Sequence, residues 1–358
     1  MSQLTDLFTD IANAIRSKKG TSAAIPAQNF ASEISNLPSG GGGDNIYDYF
    51  ESSRSTQSNG CFIARFIKQI PPITAPVVNN FSRAFDGCDL LTTIDFTNID
   101  KSNATNMYFM FANCTNLSSL NMQDFNTSKV TNMYGTFSNC RKITSLNLNS
   151  FNTSNVTMMA NMFANCVNLA SLDISNFNTS KVTSMSQMFD NCNKLTSLNL
   201  SGFDSSALTT LSIMFRNCAN LASLDISGLQ NSTATTLANI FNNCSKLSDL
   251  SLGTFDSTHV NVMTNAFYRC SNLANITGTF SNIGQGYTST TVNYAAYRIA
   301  LNASTKLTHD SMMNIINGLY DLSSAGKANQ SLVFGTTNLS KLSSSEIAIA
   351  TSKGWNVT

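Results

Sequence analysis

Met162-Phe163-Ala164-Asn165-Cys166-Val167-Asn168-Leu169-Ala170-Ser171-Leu172-Asp173-Ile174 decides the fold, because its spacing of residue types returns every 26 positions along the chain. Cys88, Cys114, Cys140, Cys166, Cys192, Cys218, Cys244 and Cys270 mark the period, and Cys61 falls just outside the register. A Phe stands three residues before each of the eight, from Phe85 and Phe111 to Phe267. Three residues after them come Leu91, Leu117, Ile143, Leu169, Leu195, Leu221, Leu247 and Leu273, followed by Ile94, Leu120, Leu146, Leu172, Leu198, Leu224, Leu250 and Ile276. Two further on lie Phe96, Met122, Leu148, Ile174, Leu200, Ile226 and Leu252. Self-similarity at a fixed period of this length is the signature of a stacked repeat architecture, in which no unit buries its apolar columns alone.

Within the unit, Ser145-Leu146-Asn147-Leu148 alternates polar and apolar residues, the pattern of a strand with one buried face. One short strand per repeat is therefore expected, stacking into a parallel sheet. At roughly 4.8 Å per strand, eight units make a rod on the order of 40 Å long. A second column, Phe125, Phe151, Phe177, Phe203, Leu229 and Phe255, follows the strand. The return segment, with Val156, Met159 and Met162 or Val182, Met185 and Met188, has the spacing of three that suits a helical turn or a 3₁₀ segment. The methionines read as flexible filling between layers.

The bulk properties exclude several classes of function. Of the 358 residues 42% are apolar, enough for a continuous core, and only 11% are charged, with a net charge of +1. That balance carries no electrostatic footprint for nucleic acid. No run approaches the ~20 apolar residues of a membrane helix, and the first ten residues lack the basic and apolar regions of a secretory signal. The cysteines form no C-x-x-C pair, and His259 and His309 sit in no metal-ligand spacing, so buried thiols packed as small apolar residues are expected, with no metal and no cofactor. Neither histidine has a nucleophile or carboxylate partner in a recognisable motif, and the chain reads as non-enzymatic.

Binding is expected instead on the outward residues of the strand face: Ser119, Asn121 and Gln123; Ser145, Asn147 and Asn149; Ser171, Asp173 and Ser175; Ser197, Asn199 and Ser201. These are short, neutral, hydrogen-bonding side chains, and solenoids commonly bind on such a face. The same pattern also describes a plain solvated surface. Tyr108 and Tyr134 share one repeat position and read as a small exposed aromatic pair.

The Phe-x-x-Cys-x-x-Leu-x-x-Leu-x-Leu unit, usually with Asn before Cys as at Asn165-Cys166, resembles the BspA-like leucine-rich repeats of bacterial surface adhesins over about Val78 to Phe280. The longer Phe-Asn-Thr-Ser-Lys-Val-Thr segment at Phe125 to Thr131 is similar to the subgroup found in Firmicutes, in mycoplasma surface proteins and in their phages. Leu4 to Leu37 resembles the short N-terminal module of phage tail and baseplate-associated proteins. That second resemblance implies a virion part, released by lysis without an export signal.

The expected fold is thus an α/β repeat, a leucine-rich-repeat solenoid with a small N-terminal helical module and an α/β C-terminal cap. Residues 1–38 form the attachment or oligomerisation module, 39–45 a Gly-rich hinge, 46–77 the N-terminal cap, 78–280 the repeats and 281–358 the C-terminal cap. In the cap, Thr308 is expected to N-cap a helix with a Leu307 to Met312 staple, Ser343 to Glu346 to form a capping box, and Trp355 to be buried. The expected function is host-surface attachment by a phage tail fibre or receptor-binding component. Its partners would be other virion proteins through residues 1–38, a host-surface protein or glycan, and further copies of itself, a trimer among the options. A decoration protein of the virion and a bacterial adhesin are the alternatives.

Overall fold

The structure, a computed structural model, describes residues 69–70, 80–94, 96, 102–229, 233–287 and 298–358. The sequence readings for the N-terminal module, the hinge, Cys61 and nearly all of the N-terminal cap lie outside these residues.

The described repeats are successive coils, and the segment that welds one coil to the next is the return segment. The N–H groups of Met133, Gly135, Phe137 and Asn139 donate to the carbonyls of Met158, Ala160, Met162 and Ala164 one coil on, at 2.7–2.9 Å. The intervening N–H groups of Thr136, Ser138 and Cys140 turn back to Met133, Gly135 and Phe137 at 3.0–3.3 Å. Parallel bridges Asn80↔Asn106↔Asn132↔Met158↔Ser184↔Thr210 start the segment in each coil.

The helical or 3₁₀ reading of this segment is corrected accordingly. Two residues per coil are left-handed, which no helix tolerates. One series, Arg83, Phe109, Gly135, Asn161, Gln187, Ile213, Asn239 and Asn265, has φ of 51–65°. The other, Gly87, Asn113, Asn139, Asn165, Asn191, Asn217, Asn243 and Arg269, has φ of 60–79°. Asn before Cys is thereby explained, since Asn tolerates this backbone best among residues with a side chain. Some of these asparagines also pair across neighbouring coils, Asn139 Nδ2 donating to Asn113 Oδ1 at 2.8 Å and Asn191 to Asn165 at 2.9 Å. Among the described residues the one 3₁₀ helix is Ser227–Leu229.

Sheet is less continuous than one strand per repeat. β1 (Gln69–Ile70) pairs in parallel with β2 (Thr93–Ile94), and β3 (Ser223–Asp225), β4 (Asp249–Asp256) and β5 (Asn275–Ser281) form a parallel sheet in that order. Between β2 and β3 the polar–apolar alternation persists as exposed–buried alternation, with single inter-coil bonds such as Ala170 N–H to Thr144 carbonyl at 2.9 Å. Three or four turn bonds already fix each junction there, so the coils hold together without a full strand ladder.

Inside, the columns stack as ladders. Phe85, Phe111, Phe137, Phe163, Phe189, Phe215, Phe241 and Phe267 are 0–4% exposed, with neighbouring centroids 5.5–5.8 Å apart. Each thiol from Cys114 to Cys270 is buried and donates to the carbonyl of a Phe in the preceding coil, Cys166 to Phe137 at 3.1 Å and Cys192 to Phe163 at 3.2 Å, for example. Cysteine is more than a small apolar filler here: its S–H adds a second donor to a buried carbonyl that already accepts a backbone N–H in its own coil. Burial pushes the thiols of Cys166, Cys218 and Cys270 up to about 12 and those of Cys140, Cys192 and Cys244 well above the ordinary value. In a Cys61→Ser variant, a disulfide reagent at about pH 8 is therefore expected to leave the column untouched until denaturant is added, because the thiolate is the reactive form. Rapid labelling of the native protein would contradict this packing.

Buried threonines pair the outer segments in the same way. Thr127, Thr153 and Thr179 are 0–1% exposed, and their hydroxyls donate to the carbonyls of Asn152, Asn178 and Asp204 while accepting the N–H of those same residues, at 2.7–3.0 Å. The Thr of each Phe-Asn-Thr-Ser unit is thus an inter-coil clamp.

Beyond β5 lie β6 (Arg298–Ala300), α1 (His309–Gly318), β7 (Gln330–Val333), α2 (Thr336–Leu339), α3 (Ser344–Ser352) and β8 (Trp355–Val357), with β6, β7 and β8 in one parallel sheet. Thr308 caps α1 through its side chain, Ser343 and Glu346 form a capping box on α3, and Trp355 is 1% exposed. Helix α1 is bonded to β5: Ser311 Oγ accepts the Ile276 N–H at 2.9 Å and donates to the Ala274 carbonyl at 3.0 Å, and Asn314 Nδ2 donates to the Gly278 carbonyl at 2.7 Å. His309 Nε2 meets Glu346 Oε1 at 2.8 Å, joining α1 to α3. Among the described residues no helix is long and apolar enough to cross a membrane.

Candidate functional site

The outward residues after each Leu column form a ledge along the coils. All twelve expected positions, Ser119, Asn121, Gln123, Ser145, Asn147, Asn149, Ser171, Asp173, Ser175, Ser197, Asn199 and Ser201, are exposed. Their middle members have a structural duty as well. Asn121, Asn147, Asp173 and Asn199 accept the N–H of Gln123, Asn149, Ser175 and Ser201 at 3.0–3.2 Å, closing the turn that ends the ledge. The side-chain oxygen is spent locally, while the flanking Ser119, Ser145, Ser171 and Ser197 hydroxyls and the Asn amide groups face solvent.

The ledge deepens where the strands of β3, β4 and β5 begin. Ser197 and Asn199 join Ser223, Asp225, Asp249, Ser251, Asn275 and Thr277 around an open groove of about 400 Å³, floored by Leu198, Leu224 and Leu250. The sequence reading reached the first two of these polar residues only. The others occupy the same repeat positions, as in Ser223-Leu224-Asp225 and Asn275-Ile276-Thr277, and that recurrence was the signal available for them.

Two carboxylates give the groove its polarity. Burial works to raise Asp225, yet the Ser227 N–H and the Ser227 and Ser251 hydroxyls hold it below the ordinary carboxylate range. Asp249 is held down by the Ser248 hydroxyl and by Asn275, whose amide donates to it at 2.7 Å. Both are therefore ionised acceptors at neutral pH, set among neutral donors and acceptors. Such a groove can take hydroxyl, amide or ammonium donors from a ligand. Among the described residues no group of three His, Cys, Asp or Glu side chains could hold a metal ion. His259 is exposed, outside the groove lining.

Tyr108 and Tyr134 are not part of the ledge. They lie on the turn segments of adjacent coils, half-buried, with ring centroids 5.5 Å apart.

Comparison with known proteins gives a family and two distant structural likenesses. No curated protein sequence matches the chain. The crystal structure of the mouse RP105/MD-1 complex is similar at 14% identity and a TM-score of 0.31, over 81% of this chain and 44% of that one. The chain thus spans less than half the length of that relative. The functional domain of InlJ from Listeria monocytogenes, described as including a cysteine ladder, is similar at 11% identity and a TM-score of 0.17, over 75% of this chain and 69% of that one. The sequence profile of one family matches residues 79–196 and 168–280, more than half of the chain. The coils from the first left-handed turn to the end of the β3–β4–β5 sheet are therefore those of a family already defined by sequence, and the chain belongs to it: the family described as Mycoplasma protein of unknown function, DUF285.

Proposed function

We propose that this chain is a non-enzymatic attachment protein of a phage virion, a tail fibre or receptor-binding component, built as a leucine-rich-repeat solenoid of 26-residue units with an N-terminal attachment module and a C-terminal cap. It contacts a host-surface protein or glycan through the ledge. The observation that carries the binding role is the row of exposed, short, hydrogen-bonding side chains, neutral apart from Asp173, that ends in the Asp225 and Asp249 groove. The virion assignment is supported by the resemblance of Leu4 to Leu37 to phage tail modules. A second reading, a bacterial surface adhesin, is favoured by the family, whose description names Mycoplasma.

Antibody fragments raised against the ledge residues between Ser119 and Thr277 test the role. They are expected to lower adsorption of particles carrying the chain by at least about tenfold, and an Asp225→Lys, Asp249→Lys variant to do the same, since reversed charges repel the donors the groove accepts. Adsorption unchanged by both would leave a decoration role. Detection of the chain on uninfected bacterial cells would decide for the adhesin.

A further inference from the structure

The net charge of +1 hides a local segregation of charge. Cys140, Cys192 and Cys244 are each followed two residues on by a lysine, Lys142, Lys194 and Lys246, and all three lysines are exposed. The alternate coils carry Asn at this position and use it to tie coils together. The amides of Asn116, Asn168, Asn220 and Asn272 donate to the carbonyls of Asp89, Arg141, Asn193 and Ser245 at 2.5–2.7 Å. The structure adds a fourth lysine that the spacing hides. Leu307 and Thr308 make the backbone bonds that Leu273 and Ala274 make one coil earlier, so Ser304 takes the place of a cysteine. Lys306 therefore falls in the same column, two coils beyond Lys246.

Every second coil thus gives up the tie for an ammonium group. Among the described residues, Lys129, Lys181, Lys327, Lys341 and Lys353 each direct theirs to an oxygen elsewhere in the fold, and Lys306 reaches Asn272 Oδ1 at 2.6 Å. Lys142, Lys194 and Lys246 have no side-chain partner there. Arg141 and Arg269 lie on the same edge. Its three columns are the residue before each cysteine and the two after it, and from Asn113 to Asn272 they hold no Asp or Glu. Carboxylates in the flanking columns are engaged: Asp190 accepts from Arg216 at 2.6 and 2.9 Å, and Asp249 from Asn275 at 2.7 Å.

We infer that this edge binds a linear polyanion whose phosphodiester charges are separated by neutral, hydroxylated units. At roughly 4.8 Å per coil the four lysines stand about 10 Å apart in a row about 30 Å long. That spacing exceeds the Debye length of about 8 Å at physiological salt, so the ammonium groups repel one another little and each can meet a separate anion. An ammonium is a point charge that suits a phosphodiester, whereas a carboxylate is met best by the guanidinium fork. The exposed hydroxyls of Thr144, Ser145, Thr196 and Ser197, beside the row, suit a hydroxylated spacer. Duplex nucleic acid carries one charge per ~1.7 Å, most of which so sparse a row leaves unmet. Single strands stack their bases on aromatic faces, and the three columns hold no aromatic residue. The row is separate from the Asp225 and Asp249 groove, so this site stands independently of the ledge's role.

Calorimetric titration of the full chain with poly(glycerol phosphate) tests it, with polygalacturonate, oligo-deoxythymidine and phosphatidylglycerol vesicles as the other probes. The dissociation constant for poly(glycerol phosphate) is expected to rise by at least about tenfold between about 50 and 200 mM salt. A rise of at least about tenfold is also expected in the Lys142→Asn, Lys194→Asn, Lys246→Asn variant. These substitutions supply the residue that the alternate coils carry, so the urea midpoint is expected to stay at or above that of the parent, which separates lost binding from lost folding. Arginine at the same three positions is expected to keep the affinity within about threefold, because the charge is retained. A Lys129→Gln, Lys181→Gln variant, which removes charge from another column, is expected to stay within about twofold. No binding of poly(glycerol phosphate), an unchanged affinity in the triple Asn variant, or an equal loss in the Lys129, Lys181 variant overturns the assignment. Tighter binding of any other probe does so too, since it would give the row to a carboxylate polymer, a nucleic acid or a lipid surface.

Discussion

Phe163→Ala is expected to lower the stability of the coils by about 3–5 kcal/mol, the range for truncating a buried phenylalanine. The ring is fully buried between Phe137 and Phe189, with centroids 5.7 and 5.6 Å away and planes within 9°. Removing it leaves a gap that the coils above and below cannot collapse into, because each is held at its spacing by the backbone bonds of the turn ladder. The loss is felt on two sides at once. Solenoid coils contact only their neighbours, so the defect also separates the array into two blocks that unfold less cooperatively. Urea titration followed by circular dichroism measures both effects, as a lower midpoint and a shallower transition. Phe163→Leu, which keeps most of the volume, is expected to lose about 1–1.5 kcal/mol. A loss below about 1 kcal/mol in the alanine variant would mean that the aromatic column does not bear on coil packing.

Gly318→Ala is expected to destabilise the C-terminal elements by about 3 kcal/mol, at the upper end for overpacking. Helix propensity alone predicts the opposite sign, since Gly to Ala in a helix is favourable by about 1 kcal/mol. The two effects are unequal because of where this helix ends. A Cβ on Gly318, the last residue of α1, would sit 1.6 Å from the Phe280 carbonyl oxygen in β5, and a backbone atom cannot rotate away. The Gly318 carbonyl also accepts the Ile283 N–H at 3.0 Å, and Ile283 in turn accepts from Tyr320 at 2.9 Å. Lifting α1 by the width of a methyl group breaks this relay. Hydrogen exchange at the Ile283 and Tyr320 amides is expected to accelerate while exchange at coil amides such as Phe137 stays slow. A variant more stable than the parent would show that α1 does not dock so closely on β5.

Much of this was legible in the residues. Columns such as Phe85 to Phe267 and Cys88 to Cys270 had to be buried, because eight identical apolar positions at one spacing have no other way to leave water together. The caps at Thr308 and Ser343 were readable from local chemistry, since a hydroxyl followed three residues later by its partner is a short-range code. The ledge positions followed from the period of two. What failed was the return segment: a spacing of three between apolar residues is shared by a helical turn and by turns broken by left-handed residues, and periodicity does not tell them apart. The Asn at Asn113, Asn139 and Asn165 was visible as a recurring letter, but its reason is a backbone angle.

By itself, then, the amino-acid sequence determined the buried columns and the family to which residues 79–280 belong, because each depends on residue types recurring at fixed separations. The tertiary structure alone decided how the coils are joined, what the thiols and threonines do, and which polar residues meet. The backbone bonds from Met133 to Met158 and the contact of Arg83 with Phe109 link positions about one coil apart, and whether such groups touch depends on the angle and rise of each coil. Those quantities are set by the summed packing of every column, and no single stretch of residues encodes them.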